Sequence, residues 1–329
     1  MPRRKKDADQ LDMLDVRQRL TTATCVPALR EVVSAWRKGG YKKTTDTTQE
    51  LLNFWFESDH RLPDGNKFRY YDSQREAIET LIYVYEVEKI RSRKQLLEKF
   101  ASDTKDLRLP PFDDFARFCV KMATGSGKTK VMSLAIAWQY FNAVREDDEQ
   151  YAKNFLVLAP NVIVFERLRV DFESGKVFRS DPLFPKHYNL FWDMECYMRG
   201  DSERASSTGA LYLSNIQQFY ERPARGASDE PEEIMGVMGA KPKTSKLEIT
   251  DFGERIGKRD GLLMVLNDEA HHTHDESNEW NNVIGGLNKT RPIIAQLDFS
   301  ATPRYSKGAL FAWTVSVLSP EASYPRWCG

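Results

Sequence analysis

The decapeptide KMATGSGKTK, residues 121–130, places Gly-Lys-Thr at the end of a run of small residues, directly after the apolar stretch FARFCV. Glycine reaches backbone angles that other residues avoid, so Gly125 and Gly127 let successive N–H groups converge on one anion. A helix starting near Lys128 adds the positive end of its dipole. Thr124, Gly125, Ser126 and Gly127 then form a phosphate cradle. The Lys128 ammonium reaches the β- and γ-phosphates of a nucleoside triphosphate, and the Thr129 hydroxyl is placed for Mg2+. The strict pattern G-x-x-x-x-G-K-[ST] has glycine where this chain has Met122, so a chance loop remains the alternative for this stretch taken alone.

A second stretch, LLMVLNDEAHH (residues 262–272), ends an apolar run in two acids. Asp268 at the tip of a strand beside a phosphate loop suits Mg2+. Glu269 is placed to orient and deprotonate an attacking water, a role that contributes roughly 10²–10⁴-fold. The bland alternative is an acidic surface turn. His271, His272 and His274, near Asp268 and Asp275, raise the question of zinc. Their spacing is not H-E-x-x-H and no cysteine is close in sequence, so imidazoles that hydrogen-bond between motifs are the preferred reading.

These residues need elements to hold them. Residues 1–110 read as mainly helical: CVPALREVVSAWRKGG has helical spacing and a Gly-Gly stop, and TTQELLNFWFESDH is a second helix with Phe54, Trp55 and Phe56 as core aromatics. A third helix is expected from Ser73, capped by a Ser73–Glu76 box, with Ile78, Leu81, Ile82 and Tyr85 as its apolar stripe. From about residue 111, FARFCVKM, NFLVLAP, YNLFW, ALYLSN, GLLMVLND and PIIAQLDFSATP read as strands. Helices follow the glycine turn (to about Val144) and lie at VIVFERLRVDF. The fold class is therefore α/β, a mainly parallel sheet with helices on both faces over residues 111–306, preceded by the helical region. Residues 221–260, rich in charge, Pro and Gly, read as an inserted mobile loop. Residues 307–329 read as a short tail.

Formal net charge is zero, with 41% hydrophobic and 29% charged residues over 329 positions. A global electrostatic case for nucleic acid is thereby removed, leaving local patches such as 2–6 and 89–94, each read by default as solvated surface. Cys25, Cys119, Cys196 and Cys328 are far apart, which fits a reducing cytosol better than a disulfide framework or zinc knuckle. With no apolar signal core and no long apolar span, the expectation is a soluble cytoplasmic protein with no membrane partner.

MATGSGKT, NDEAH and FSATP, in that order, resemble motifs I, II and III of superfamily 2 helicases and translocases of the DEAH-box type. With FRYYDSQREAIETLIYVYE and LSNIQQFY, the chain most resembles the restriction (Res) subunit of type III restriction enzymes, over roughly residues 45–314. The resemblance implies a RecA-like P-loop domain that binds ATP and Mg2+ and hydrolyses ATP. It implies duplex DNA and a methyltransferase–specificity (Mod-type) subunit as partners. It also implies roles: Gln74 reads the adenine edge, and Ser300, Thr302 and His271 couple nucleotide state to the DNA-facing side. APNVIVFERL and SNIQQ match segments that touch nucleic-acid backbone, pointing to Asn161, Asn215 and Gln217. For these three, turn and cap chemistry fits equally well.

The family pattern has two RecA-like domains, the second supplying an arginine worth roughly 10³–10⁵ in rate. No second unit fits after residue 315, so the expectation is the N-terminal ATPase core of a DNA translocase, shortened by truncation or frameshift and weak or inactive in turnover. The alternative is a fragment that binds nucleotide, and DNA, without turnover. A P-loop ATPase acting on RNA or protein is a third reading, since motifs I–III encode ATP use and not its object.

Overall fold

The computed structural model describes residues 23–101, 115–146, 149–198, 201, 207–215, 252–270, 279–302, 311 and 313–317. The helical region forms as its spacing predicts. Helix α1 (Val26–Lys38) buries Leu29, Val33 and Trp36 on one stripe and stops at Gly39. Helix α2 (Asp46–Glu57) is capped by the Thr45 side chain, which accepts from the Thr48 amide, and it buries Leu51, Leu52 and Trp55. A two-residue hairpin, β1 (His60–Arg61) with β2 (Lys67–Phe68), leads into α3 (Asp72–Ile82), which runs on as a π-helical turn over Tyr83–Val87. Helix α4 (Arg93–Phe100) is capped by Ser92, whose Oγ accepts from the Gln95 amide.

The third helix begins earlier than its apparent cap. Tyr71, with φ −69° and ψ 151°, is the N-cap, and Gln74 Oε1 accepts from the Tyr71 amide at 3.0 Å. Ser73 therefore lies inside the first turn, where its hydroxyl is buried without a hydrogen-bond partner.

The main sheet has seven parallel strands in the order β5-β6-β4-β7-β8-β3-β9. These are β3 (Ala116–Lys121), β4 (Ala152–Ala159), β5 (Met194–Tyr197), β6 (Gly209–Asn215), β7 (Leu262–Asp268), β8 (Ile293–Ser300) and β9 (Thr314–Val317). Alternation along the central strands assigns the two faces. On one face lie Phe155, Val157, Leu211, Leu213, Met264 and Leu266, under helix α5 (Lys128–Arg145), α6 (Val162–Phe172) and α7 (Lys176–Ser180). On the other lie Leu156, Leu158, Tyr212, Leu263 and Val265, under α8 (Phe252–Lys258) and α9 (Glu279–Thr290). Crossovers from β3 to β4 and from β4 to β5 run one way across the sheet. Those from β6 to β7 and from β7 to β8 run the other way. Right-handed connections must then use opposite faces, which is the observed division of helices. This is the RecA-like P-loop arrangement.

Helix α5 is buried all round from Val131 to Asn142. It lies between the sheet and the N-terminal helices, which explains an apolar helix with little amphipathic pattern. Residues 23–101 share one continuous core with the sheet, from Leu29 and Trp55 through Trp138 to Val315.

Three stretches differ from expectation. YNLFW is not a strand: Lys186–Leu190 is a 3-10 helix, and the strand starts later, at Met194. A short apolar run cannot by itself separate strand from helix. Here only Tyr188 is buried, while Leu190 is 88% exposed. The C-terminal end of the expected insertion holds α8, whose Phe252 and Ile256 cover the second sheet face; residues 221–251 lie outside the described residues. Within the expected tail, Thr314–Val317 pairs with β3 as an edge strand. No helix among the described residues is long and apolar enough to cross a membrane.

Candidate functional site

Parallel register brings the carboxyl ends of the strands into one row. Asn215 is opposite Ala159, Leu158 opposite Asn267, Asp268 opposite Phe299, and Ser300 opposite Lys121. Ligands of open parallel sheets bind along this edge. The loop after β3 takes the predicted form. Gly125 (φ +82°) and Gly127 (φ +83°) are left-handed, Ser126 Oγ donates to the Ala123 carbonyl at 2.6 Å, and α5 starts at Lys128. The Lys130 amide donates to the Gly127 carbonyl at 3.0 Å, and amides in the first turn of a helix generally have no partner within the helix. The Met122 amide donates to the Ser300 carbonyl at 3.0 Å, joining the start of the loop to the end of β8.

Lys128 is buried, and its Nζ pairs with Glu269 and lies 3.9 Å from Asp268 Oδ1. Asp268 Oδ1 also accepts from the Glu269 amide at 3.0 Å. The other oxygen, Oδ2, is held by Arg167 of α6. Burial pushes the Asp268 carboxyl above its ordinary value, against the pull of Lys128 and Arg167. Glu269 has φ +51°. A non-glycine residue in that region carries strain of order 1–3 kcal/mol and is found where structure over-determines it, often at functional sites.

Gln74 is buried rather than solvent-exposed. Its Nε2 donates to the Ser126 carbonyl at 3.2 Å while its Oε1 caps α3, so both ends of the amide are engaged and it braces the loop from behind. Thr124 and Gly125 are exposed, and Thr129 is half-buried. Ser300 is buried and accepts from the Thr302 amide at 3.1 Å; Thr302 is exposed. Asn161 caps α6, its Oδ1 accepting from Val164 N at 2.9 Å, and Asn215 is buried at the end of β6. His271, His272, His274 and Gln217 lie outside the described residues.

Residue types alone pointed to neither Arg167 nor Asp298. Arg167 sits in the APNVIVFERL segment, but nothing local ties it to an acid 101 residues away. Asp298, fully buried on β8, accepts from Asn267 Nδ2 at 2.7 Å, Gln296 Nε2 at 2.8 Å and Trp313 Nε1 at 2.9 Å. It ties β7, β8 and the approach to β9 together beneath the site. Lys130, two residues into α5, pairs with Asp181 after α7.

By residue type, the Thr129 hydroxyl and the Asp268 carboxylate are oxygen donors of the kind that could hold Mg2+, a hard cation that takes oxygen ligands, phosphates and water. Left-handed glycines, first-turn amides and a buried ammonium suit a polyphosphate.

Residues 67–305, most of the chain, match the family model described as type III restriction enzyme, res subunit. No curated protein matches the chain.

Proposed function

This chain belongs to the type III restriction enzyme res-subunit family, and from that premise we propose that it binds ATP with Mg2+ and hydrolyses it as the motor core of a DNA translocase. The observation that carries the reading is the meeting of the loop lysine with both acids at the end of β7. In-line attack of water on the γ-phosphate asks for three things from the protein. Lys128 and the loop amides hold the phosphates and offset charge on them. Glu269 accepts the water proton. Thr129 and Asp268 would hold Mg2+, which when bound neutralises charge on the phosphate oxygens. Glu269 is now spent on Lys128, so the acid becomes available as a base only once phosphates take over the ammonium.

That ion pair also favours a second reading, a chain that binds nucleotide without turnover because its base stays engaged. Duplex DNA and a methyltransferase–specificity subunit are the partners proposed from the family. One assay separates the readings: ATPase measured with and without duplex DNA, beside Lys128→Ala and Glu269→Gln. DNA-stimulated turnover lost in both variants supports the motor core. Nucleotide binding lost only in the lysine variant, with no turnover anywhere, supports the binding reading. Stimulation by RNA alone overturns the DNA assignment, and absence of nucleotide binding overturns both readings.

A further inference from the structure

Asp268 uses its two oxygens differently. Oδ1 accepts the Glu269 amide and faces Lys128, whereas Oδ2 is occupied by the Arg167 guanidinium. A metal ion that needs this carboxylate must therefore compete with Arg167. The arginine has somewhere to go. Its side chain is 46% exposed although its partner is only 1% exposed, so it enters the site from the solvent side. One turn further along α6, at the i+4 position where side chains of a helix meet, lies Asp171. Asp171 is half-buried and has no ion pair within 4 Å among the described residues. Lys130, Asp181, Lys176 and Arg167 all lie within its electrostatic reach, and burial holds its carboxyl above the ordinary value. The helix itself is anchored by Phe165, Leu168 and Phe172, so an exchange of partners needs only side-chain rotation.

We propose that Arg167 is a positioning residue with two seats, Asp268 before the metal-loaded nucleotide enters and Asp171 after. This rests on the nucleotide reading above. It gives helix α6, which starts at the Asn161 cap, a direct electrostatic report of whether the carboxylate of β7 is in use.

The test is a Mg2+ titration of the full chain at fixed concentration of a fluorescent ATP analogue, read by anisotropy. Arg167→Gln removes the competitor and lowers the Mg2+ concentration at half-saturation by roughly three- to tenfold, the scale of one part-exposed ion pair. Asp171→Asn removes the second seat and raises it. Arg167→Lys, which keeps the charge, stays near the unaltered chain. General structural damage would weaken binding in both of the first two variants, so the opposite signs identify the exchange. The proposal is overturned if Arg167→Gln leaves the Mg2+ requirement unchanged or raises it, or if Asp171→Asn shifts it the same way as Arg167→Gln. Should one variant fail to fold, the sign of the other decides. No binding of the analogue by the unaltered chain at any Mg2+ concentration overturns the nucleotide reading and this inference with it.

Discussion

The ammonium of Lys128 lies against the carboxylate of Glu269, 141 residues further along the chain. Both groups are buried or nearly so. Removing one partner of a buried pair leaves an uncompensated charge, at a cost of roughly 3–5 kcal/mol. Lys128→Ala is therefore expected to lower the urea midpoint as well as abolish nucleotide binding. Lys128→Ala with Glu269→Ala should be less destabilising than the sum of the two single changes. A double-mutant cycle by urea unfolding measures this, and strict additivity would show that the pair contributes nothing to the free protein.

The Asp268 carboxyl is held above its ordinary value of 3.8, first by burial. A raised value means that the proton is taken up earlier on acidification, and the protonated carboxyl does not hold a cation. Mg2+-dependent nucleotide binding should consequently weaken as pH falls, beginning at a pH above the ordinary aspartate value, by up to about tenfold per pH unit. Asp268→Asn should bind weakly at every pH and lose this dependence. Isothermal titration across the acidic range checks the sign; binding that strengthens on acidification would refute it.

Gly127 and Gly125 are both left-handed, but their surroundings differ. A Cβ at Gly127 would meet the Gln74 side chain, whereas at Gly125 it would meet open space. Left-handed backbone costs an alanine roughly 1–2 kcal/mol at either position. Gly127→Ala should cost more, because Gln74 cannot move without giving up its bonds to Tyr71 and Ser126. Gln74→Ala should partly restore Gly127→Ala and do nothing for Gly125→Ala. Thermal melts of the four variants decide, and equal effects at both glycines would count against the brace.

Trp313 donates its indole N–H to Asp298, a carboxylate with no exposed surface. Trp313→Phe keeps a ring to stack on Phe311 and removes that donor. A buried acceptor deprived of a partner costs roughly 1–3 kcal/mol. The expected result is a lower urea midpoint with an unchanged slope. An unchanged midpoint would mean that the remaining partners of Asp298 compensate in full.

Local chemistry made much of this molecule legible. A helix is expected near VIVFERLRVDF, and α6 spans Val162–Phe172. The glycine turn, the strand before it and the acids at the end of LLMVLND were equally readable, because φ/ψ preferences and the periods of strand and helix are written in near neighbours. Short or edge elements were not. β5 and β9 have four residues each, too few to show a period. The 3-10 helix at Lys186–Leu190 carries apolar residues that stay in solvent.

Within the site, sequence alone supplied the groups proposed to hold phosphate, metal and water. Only the tertiary structure decided who meets whom: that Gln74 braces the loop, that Lys128 rests on Glu269, and that Arg167 holds the acid expected to hold the metal. These pairings follow from strand order and from the helices each crossover sends to one face. They join residues far apart in the chain, and no short-range pattern encodes the distance between two groups brought together only when the sheet closes its core.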